Sequence, residues 1–134
     1  SQAGVEIDLI VRGICCLIPG QTYSRNIRVT RIVDTFLEHA RIWYFGNGGN
    51  PKLFLGSPDW MRRNLYRRIE AVTPILDPDA KQELIDMLFI QLSDKRKACF
   101  VDENLRNCWK SAHPQKEKVR SQYTFYEYLK EKTE

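Results

Sequence analysis

The hexapeptide Gly46-Asn47-Gly48-Gly49-Asn50-Pro51 separates two apolar runs, residues 38–45 (EHARIWYF) and 52–55 (KLFL), and constrains the fold more than any other part of the chain. Turn-forming residues between aromatic and aliphatic runs read as a β-hairpin closed by Gly56. Asp77 and Pro78, in contrast, open a stretch with helical spacing. Ala80, Leu84, Leu88 and Leu92 recur every fourth residue, widened by Ile85 and Phe89, and predict a helix over Pro78–Ser93 capped by Asp77. The chain therefore combines strands with helices, and its sheet is mixed because the hairpin is antiparallel.

Weaker signals fill in the rest. Residues 5–12 (VEIDLIVR) alternate, with Val5, Ile7, Leu9 and Val11 on one face and Glu6, Asp8, Ile10 and Arg12 on the other. Arg12 falls at the C-terminal end of that strand, where open α/β sheets place ligands. Pro19-Gly20 marks the following loop. Residues 26–34 read as a strand or a short irregular segment, and residues 69–76 as a strand that Pro74 places at an edge or bulge. Residues 95–101 return as a strand, and 107–115 read as a loop. Val119, Tyr123, Tyr126 and Leu129 predict a terminal helix at about 118–131. The expected organisation is one domain, residues 1–134, with helices on both sheet faces.

Composition narrows the class. With 43% hydrophobic and 28% charged residues, the chain has the make-up of a folded domain. No apolar run reaches the roughly 20 residues of a membrane span, and no signal peptide is expected. The chain begins Ser-Gln-Ala-Gly without methionine, so a piece of a longer protein is expected. Cys15, Cys16, Cys99 and Cys108 show no CxxC spacing, and His39 and His113 complete no zinc pattern; buried reduced thiols are expected. The net charge of +4, from 21 basic and 17 acidic residues, is mild. It is concentrated, however, in Arg62, Arg63, Arg67 and Arg68 and in a second cluster over residues 110–120. An anionic ligand follows, but charge alone does not separate nucleotide, polyanion, nucleic acid and membrane surface.

His39-Ala-Arg41 is the first chemical candidate. On a strand, two residues two apart share a face, and a histidine near its neutral pKa can donate a proton to a phosphoryl oxygen or bind it as a cation. The second is Gly56-Ser57-Pro58-Asp59-Trp60-Met61-Arg62-Arg63-Asn64. Ser57 reads as the N-cap of a short helix with Pro58 at its first position, running to about Asn64. Its free amides and Arg62 would face phosphate. Arg62 and Arg63 are adjacent, so a helix turns them in different directions. Arg12 and Arg41 offer guanidinium forks for the same ligand. Each residue also has a plain structural reading: a satisfied surface histidine, a cap, a solvated arginine. The glycine-rich turn lacks Walker spacing, and Trp43, Tyr44 and Phe45 read as sheet packing rather than a base-stacking platform.

The stretches GVEIDLIVRGICCLIPG, NIRVTRIVDTFLEHARIWYF and NGGNPKLFLGSPDWMRRNLYRRIEAVTPILDP, in that order, resemble the C-terminal catalytic domain of bacterial polyphosphate kinase from about Gly4 onward. The resemblance implies an α/β fold, a phospholipase D-like sandwich in which a mixed sheet is flanked by helices. It implies reversible transfer of the terminal phosphate of ATP to polyphosphate, with ADP as the other product and Mg2+ bound by residues outside this fragment. Arg12 and His39 match the family's nucleotide-contacting arginine and second essential histidine. The phosphorylated histidine belongs to the preceding catalytic domain, so His113 takes no such role.

Two departures from the His-x-Lys pattern of phospholipase D relatives stand out: Arg41 replaces lysine, and Gly46 stands five residues on in place of aspartate. They argue against phospholipase D-type hydrolysis with His39 as nucleophile. The expected partners are polyphosphate, ATP or ADP and the N-terminal and first catalytic domains of the same chain, with homo-oligomerisation left open. Localisation is expected to be cytoplasmic, membrane association being left open, and no specific nucleic acid is expected. The fragment alone should not synthesise polyphosphate. Two rivals are a phospholipase D-like phosphodiesterase or nuclease, which needs a second half, and a basic nucleic-acid-binding module indifferent to His39.

Overall fold

The computed structural model describes every residue, Ser1–Glu134, and orders the chain as follows. The strands are β1 (Ile7–Ile10), β2 (Ile27–Ile32), β3 (Ile42–Phe45), β4 (Lys52–Gly56), β5 (Val72–Pro74), β6 (Ala98–Val101) and β7 (Asn107–Trp109); the helices are α1 (Arg62–Arg67), α2 (Pro78–Ser93) and α3 (Ser121–Thr133). Two compact units emerge, one of Ser1–Phe36 with Leu88–Glu134 and one of Leu37–Met87. The chain is α/β, as expected.

The first unit carries a mixed four-stranded sheet of order β1-β2-β6-β7. β2 is a central strand, parallel to β1 from Ile7↔Ile27 to Ile10↔Thr30 and antiparallel to β6. The segment 26–34, ambiguous in sequence, thus holds the middle of the sheet. Its Val, Thr and Ile residues suit a strand paired on both sides, and Val29 and Ile32 are buried with Ala98 and Val101. Across the parallel register, Arg28 Nε donates to Asp8 Oδ1 at 2.7 Å.

Several expectations need correction here. Strand 5–12 is reduced to β1, although Val11 N still donates to Thr30 O at 2.9 Å; Val5 is exposed. The supposed loop 107–115 contains β7, because β6 offers it an edge to pair with. The terminal helix starts later, at Ser121. Its predicted apolar residues Tyr123 and Tyr126 are exposed, while Ser121 and Gln122 are buried. Hydrogen bonding accounts for this: Phe36 N donates to Gln122 Oε1 at 2.8 Å, and Gln122 Nε2 donates to Phe36 O at 2.7 Å. A buried amide so satisfied costs little.

α2 has the expected bounds, and Ala80 N donates to Asp77 Oδ1 at 2.8 Å as a capping residue requires. Its buried face is narrower than predicted. Leu84, Ile85, Leu88 and Leu92 are half-buried, whereas Ala80 and Phe89 are exposed and Gln91 is the buried residue. The four thiols are all free, but only Cys15 and Cys99 are half-buried; Cys16 and Cys108 are exposed, contrary to expectation. The apolar run 14–18 forms no strand or helix, and of its adjacent cysteines Cys15 turns partly inward while Cys16 faces solvent.

The second unit contains the hairpin. β3 and β4 pair antiparallel from Ile42↔Leu55 to Phe45↔Lys52, joined by a 3-10 turn at Asn47–Gly49. Asn47, Gly48 and Gly49 have φ of 46°, 61° and 92°, the left-handed region that Gly and Asn tolerate. β5 adds to β4 through Phe54↔Pro74 and Gly56↔Val72, giving a sheet of order β3-β4-β5. Ala71 O accepts from Ser57 N at 3.0 Å and Ile75 N donates to Leu53 O at 2.9 Å, so Pro74 lies on an edge strand between two residues bonded inward. The hairpin therefore belongs to a separate antiparallel sheet; the mixed character of the other sheet comes from the β1–β2 pair. At Gly56 a Cβ would stand 2.7 Å from Trp43 Cζ3 and 2.9 Å from Val72 Cγ2, so only glycine fits beside that ring.

Candidate functional site

Of the candidate residues, Arg12 belongs to the first unit, and His39, Arg41, Ser57 and Arg62 to the second. Arg12 is exposed and directly follows Val11, whose amide is held by Thr30. His39 is exposed as well.

His39 and Arg41 do not share a strand face, because β3 begins only at Ile42 and residues 37–41 form no regular element. Arg41 instead turns its side chain onto its own surroundings. Its Nη1 donates to the His39 carbonyl at 3.0 Å and its Nε to Asp59 Oδ1 at 3.0 Å. A guanidinium has donors only, so a carbonyl and a carboxylate are its natural partners. The Arg41 bond, reinforced by the charges of Arg63 and His39, holds the Asp59 carboxyl below its ordinary range.

Ser57 is not a helix cap. α1 starts at Arg62 after Met61, which makes no side-chain cap bond. The Ser57 hydroxyl donates to Glu70 Oε2 in a short bond and accepts from Ala71 N at 3.1 Å. Its own amide is bonded to Ala71 O. Ser57 therefore offers no free amide to phosphate, its own being held by Ala71 O, and its hydroxyl is taken by a carboxylate thirteen residues away. Glu70 also accepts from Asn64 Nδ2 at 2.7 Å. The bonds from Ser57 and then Asn64 lower the Glu70 pKa, helped by Arg68 and Arg41. Asn64 is buried, and its Oδ1 has no hydrogen-bond partner.

Arg62, Arg63, Arg67 and Arg68 are all exposed, so the basic cluster presents its charge outward. Beside α1 an open recess of about 400 Å³ is lined by Trp43, Phe45, Phe54, Trp60 and Leu65, among others. Trp43 is half-buried and Phe45 meets Phe54 edge-on at 6.0 Å, which agrees with packing, but Tyr44 and Phe45 remain exposed. No group of three or more His, Cys, Asp or Glu side chains is placed to hold a metal ion. No helix is long and apolar enough to cross a membrane.

Asp59 and Glu70 escaped the sequence reading. Their partners, Arg41 for Asp59 and Ser57 and Asn64 for Glu70, lie 18, 13 and 6 residues away, so no local signal marks these pairings.

A family model described as polyphosphate kinase C-terminal domain 2 matches residues 1–122. Polyphosphate kinase from Synechocystis is 60% identical over 99 residues, covering 73% of this chain and 14% of the relative. Polyphosphate kinase from Escherichia coli K12 is 46% identical over 131 residues, covering 97% of this chain and 19% of the relative. A crystal structure of polyphosphate kinase from Porphyromonas gingivalis superposes with a TM-score of 0.92 at 57% identity, covering 98% of this chain and 20% of that one. The chain spans a fifth or less of these relatives' lengths.

Proposed function

We propose, since this chain belongs to the polyphosphate kinase C-terminal domain family, that it supplies one side of the active site of an ATP:polyphosphate phosphotransferase. In that reaction the bond between the terminal phosphorus of ATP and its bridging oxygen breaks, ADP leaves, and the phosphoryl group joins a terminal oxygen of polyphosphate. Phosphoryl transfer depends mainly on positioning and charge stabilisation. Arg12 and His39 take the phosphate contacts, and the outward charge of Arg62 raises the local concentration of the polyanion. The sandwich is of the phospholipase D-like type.

The family match over residues 1–122, which includes Arg12 and His39, carries this reading. The exposure of both residues supports it. ATP and Mg2+ are the expected cofactors, the metal's ligands lying outside this chain. Because the chain spans a fifth or less of its relatives, it should bind phosphate but not synthesise polyphosphate by itself.

Calorimetric titration with short-chain polyphosphate tests the assignment. Binding that weakens in both Arg12→Ala and His39→Ala, with the fold retained, supports it. Binding unchanged in both variants leaves only a basic surface. Robust synthesis by the chain alone would overturn the half-site reading.

A further inference from the structure

We propose that Asp59 and Arg41 form a brace that positions His39, Arg41 acting through its bond to the His39 carbonyl rather than as a phosphate ligand. The inference rests on the reading of His39 as a phosphate-contacting residue.

The brace is visible as a chain of bonds within the second unit. Asp59 Oδ1 receives Arg41 Nε at 3.0 Å, and Arg41 Nη1 reaches the His39 carbonyl at 3.0 Å. The guanidinium is planar and rigid, so fixing Nε against the carboxylate fixes the direction in which Nη1 meets that carbonyl. The main chain of Arg41 is fixed as well, its carbonyl accepting from Gly56 N at 3.0 Å at the start of the hairpin. Residues 37–41 belong to no strand or helix. The His39 backbone therefore lacks a sheet ladder, and Arg41 ties it to one.

Charge alone would act in the opposite sense. A guanidinium already paired with a carboxylate attracts an anion less than an unpaired one, and a carboxylate beside an anion site repels the ligand. Arg63 and His39 also act on Asp59. If charge were all that mattered, Asp59 would weaken phosphate binding. As a brace, it strengthens it. The two accounts differ in sign.

Tripolyphosphate is titrated calorimetrically into the full 134-residue chain and its variants. Circular dichroism and thermal unfolding check that each is folded. Asp59→Asn is expected to weaken binding roughly threefold to tenfold despite removing a negative charge, within the span of couplings seen between residues of one hydrogen-bond network. Arg41→Lys, which keeps the charge but loses the fork, should weaken it similarly, and Asp59→Glu should restore part of the loss. Added to His39→Ala, Asp59→Asn should have little further effect. Tighter or unchanged binding in Asp59→Asn, with His39→Ala still weakened, would overturn the brace and leave the site reading intact. Unchanged binding in His39→Ala would overturn the site reading itself. Should Asp59→Asn fail to fold, Arg41→Lys decides: binding retained at the wild-type level would overturn the brace.

Discussion

Asp94 Oδ2 accepts a 2.8 Å hydrogen bond from the amide of Ser121, so a carboxylate 27 residues upstream caps α3. Arg120, at the N-cap position, makes no side-chain cap bond of its own. The other carboxylate oxygen takes the amides of Arg96, Lys97 and Ala98 at 2.8, 2.7 and 3.3 Å. Asp94 is fully buried. Asp94→Ala, which leaves several amides unsatisfied, is expected to destabilise the chain by about 3 kcal/mol, and Asp94→Asn by less. Urea unfolding followed by circular dichroism measures both.

Gly56→Ala forces its new methyl against the Trp43 ring and Val72. Overpacking of this kind costs about 1–3 kcal/mol. A shift in tryptophan emission should accompany the loss, since Trp43 must move; an unchanged midpoint would contradict the contact.

Asp34 pairs with Arg120 through two bonds, Oδ2 to Nε at 2.8 Å and Oδ1 to Nη2 at 2.6 Å. Its side chain is 1% exposed. Bonding to Arg120 lowers the Asp34 pKa below its ordinary 3.8, with the Thr35 amide and Lys97 contributing. The folded pKa is depressed, so the stabilisation is present above the ordinary value and is lost as pH falls through the folded one. Asp34→Asn should cost about 2 kcal/mol at neutral pH, less than a fully buried pair because Arg120 is partly exposed. The same variant should flatten the acid limb of the stability profile. An acid limb identical to wild type would contradict this.

Arg62→Ala should weaken short-polyphosphate binding about twofold to threefold and reduce its salt dependence, as expected when an exposed charge acts at a distance. Titrations at two ionic strengths measure it. A loss independent of salt would instead indicate direct, desolvated contact.

Where cues were local, the sequence was legible. Asn47-Gly48-Gly49 demanded a left-handed turn, and Asp77-Pro78 announced α2. β7 was not legible because three exposed residues carry no period of their own and become a strand only against β6. Ser57 was misread for a different reason. Serine before proline suits a helix cap, but the same hydroxyl can bind a distant carboxylate, and Glu70 decides between them. Asp59 and Arg41 were visible as charges, while their pairing and its connection to His39 arise only when the hairpin and the segment after it are folded.

Pro74 has a consequence for assembly. Ala71 and Ile75 direct their main-chain groups toward the inner neighbours of β5, so the nitrogen of Pro74 points outward, and it carries no hydrogen. An incoming strand from another molecule would find a donor missing midway along an edge only three residues long. Neighbouring Ile69, Val72 and Leu76 are exposed and adhesive. Proline thus removes one of the few outward donors of this short edge and weakens it as a template for a further strand.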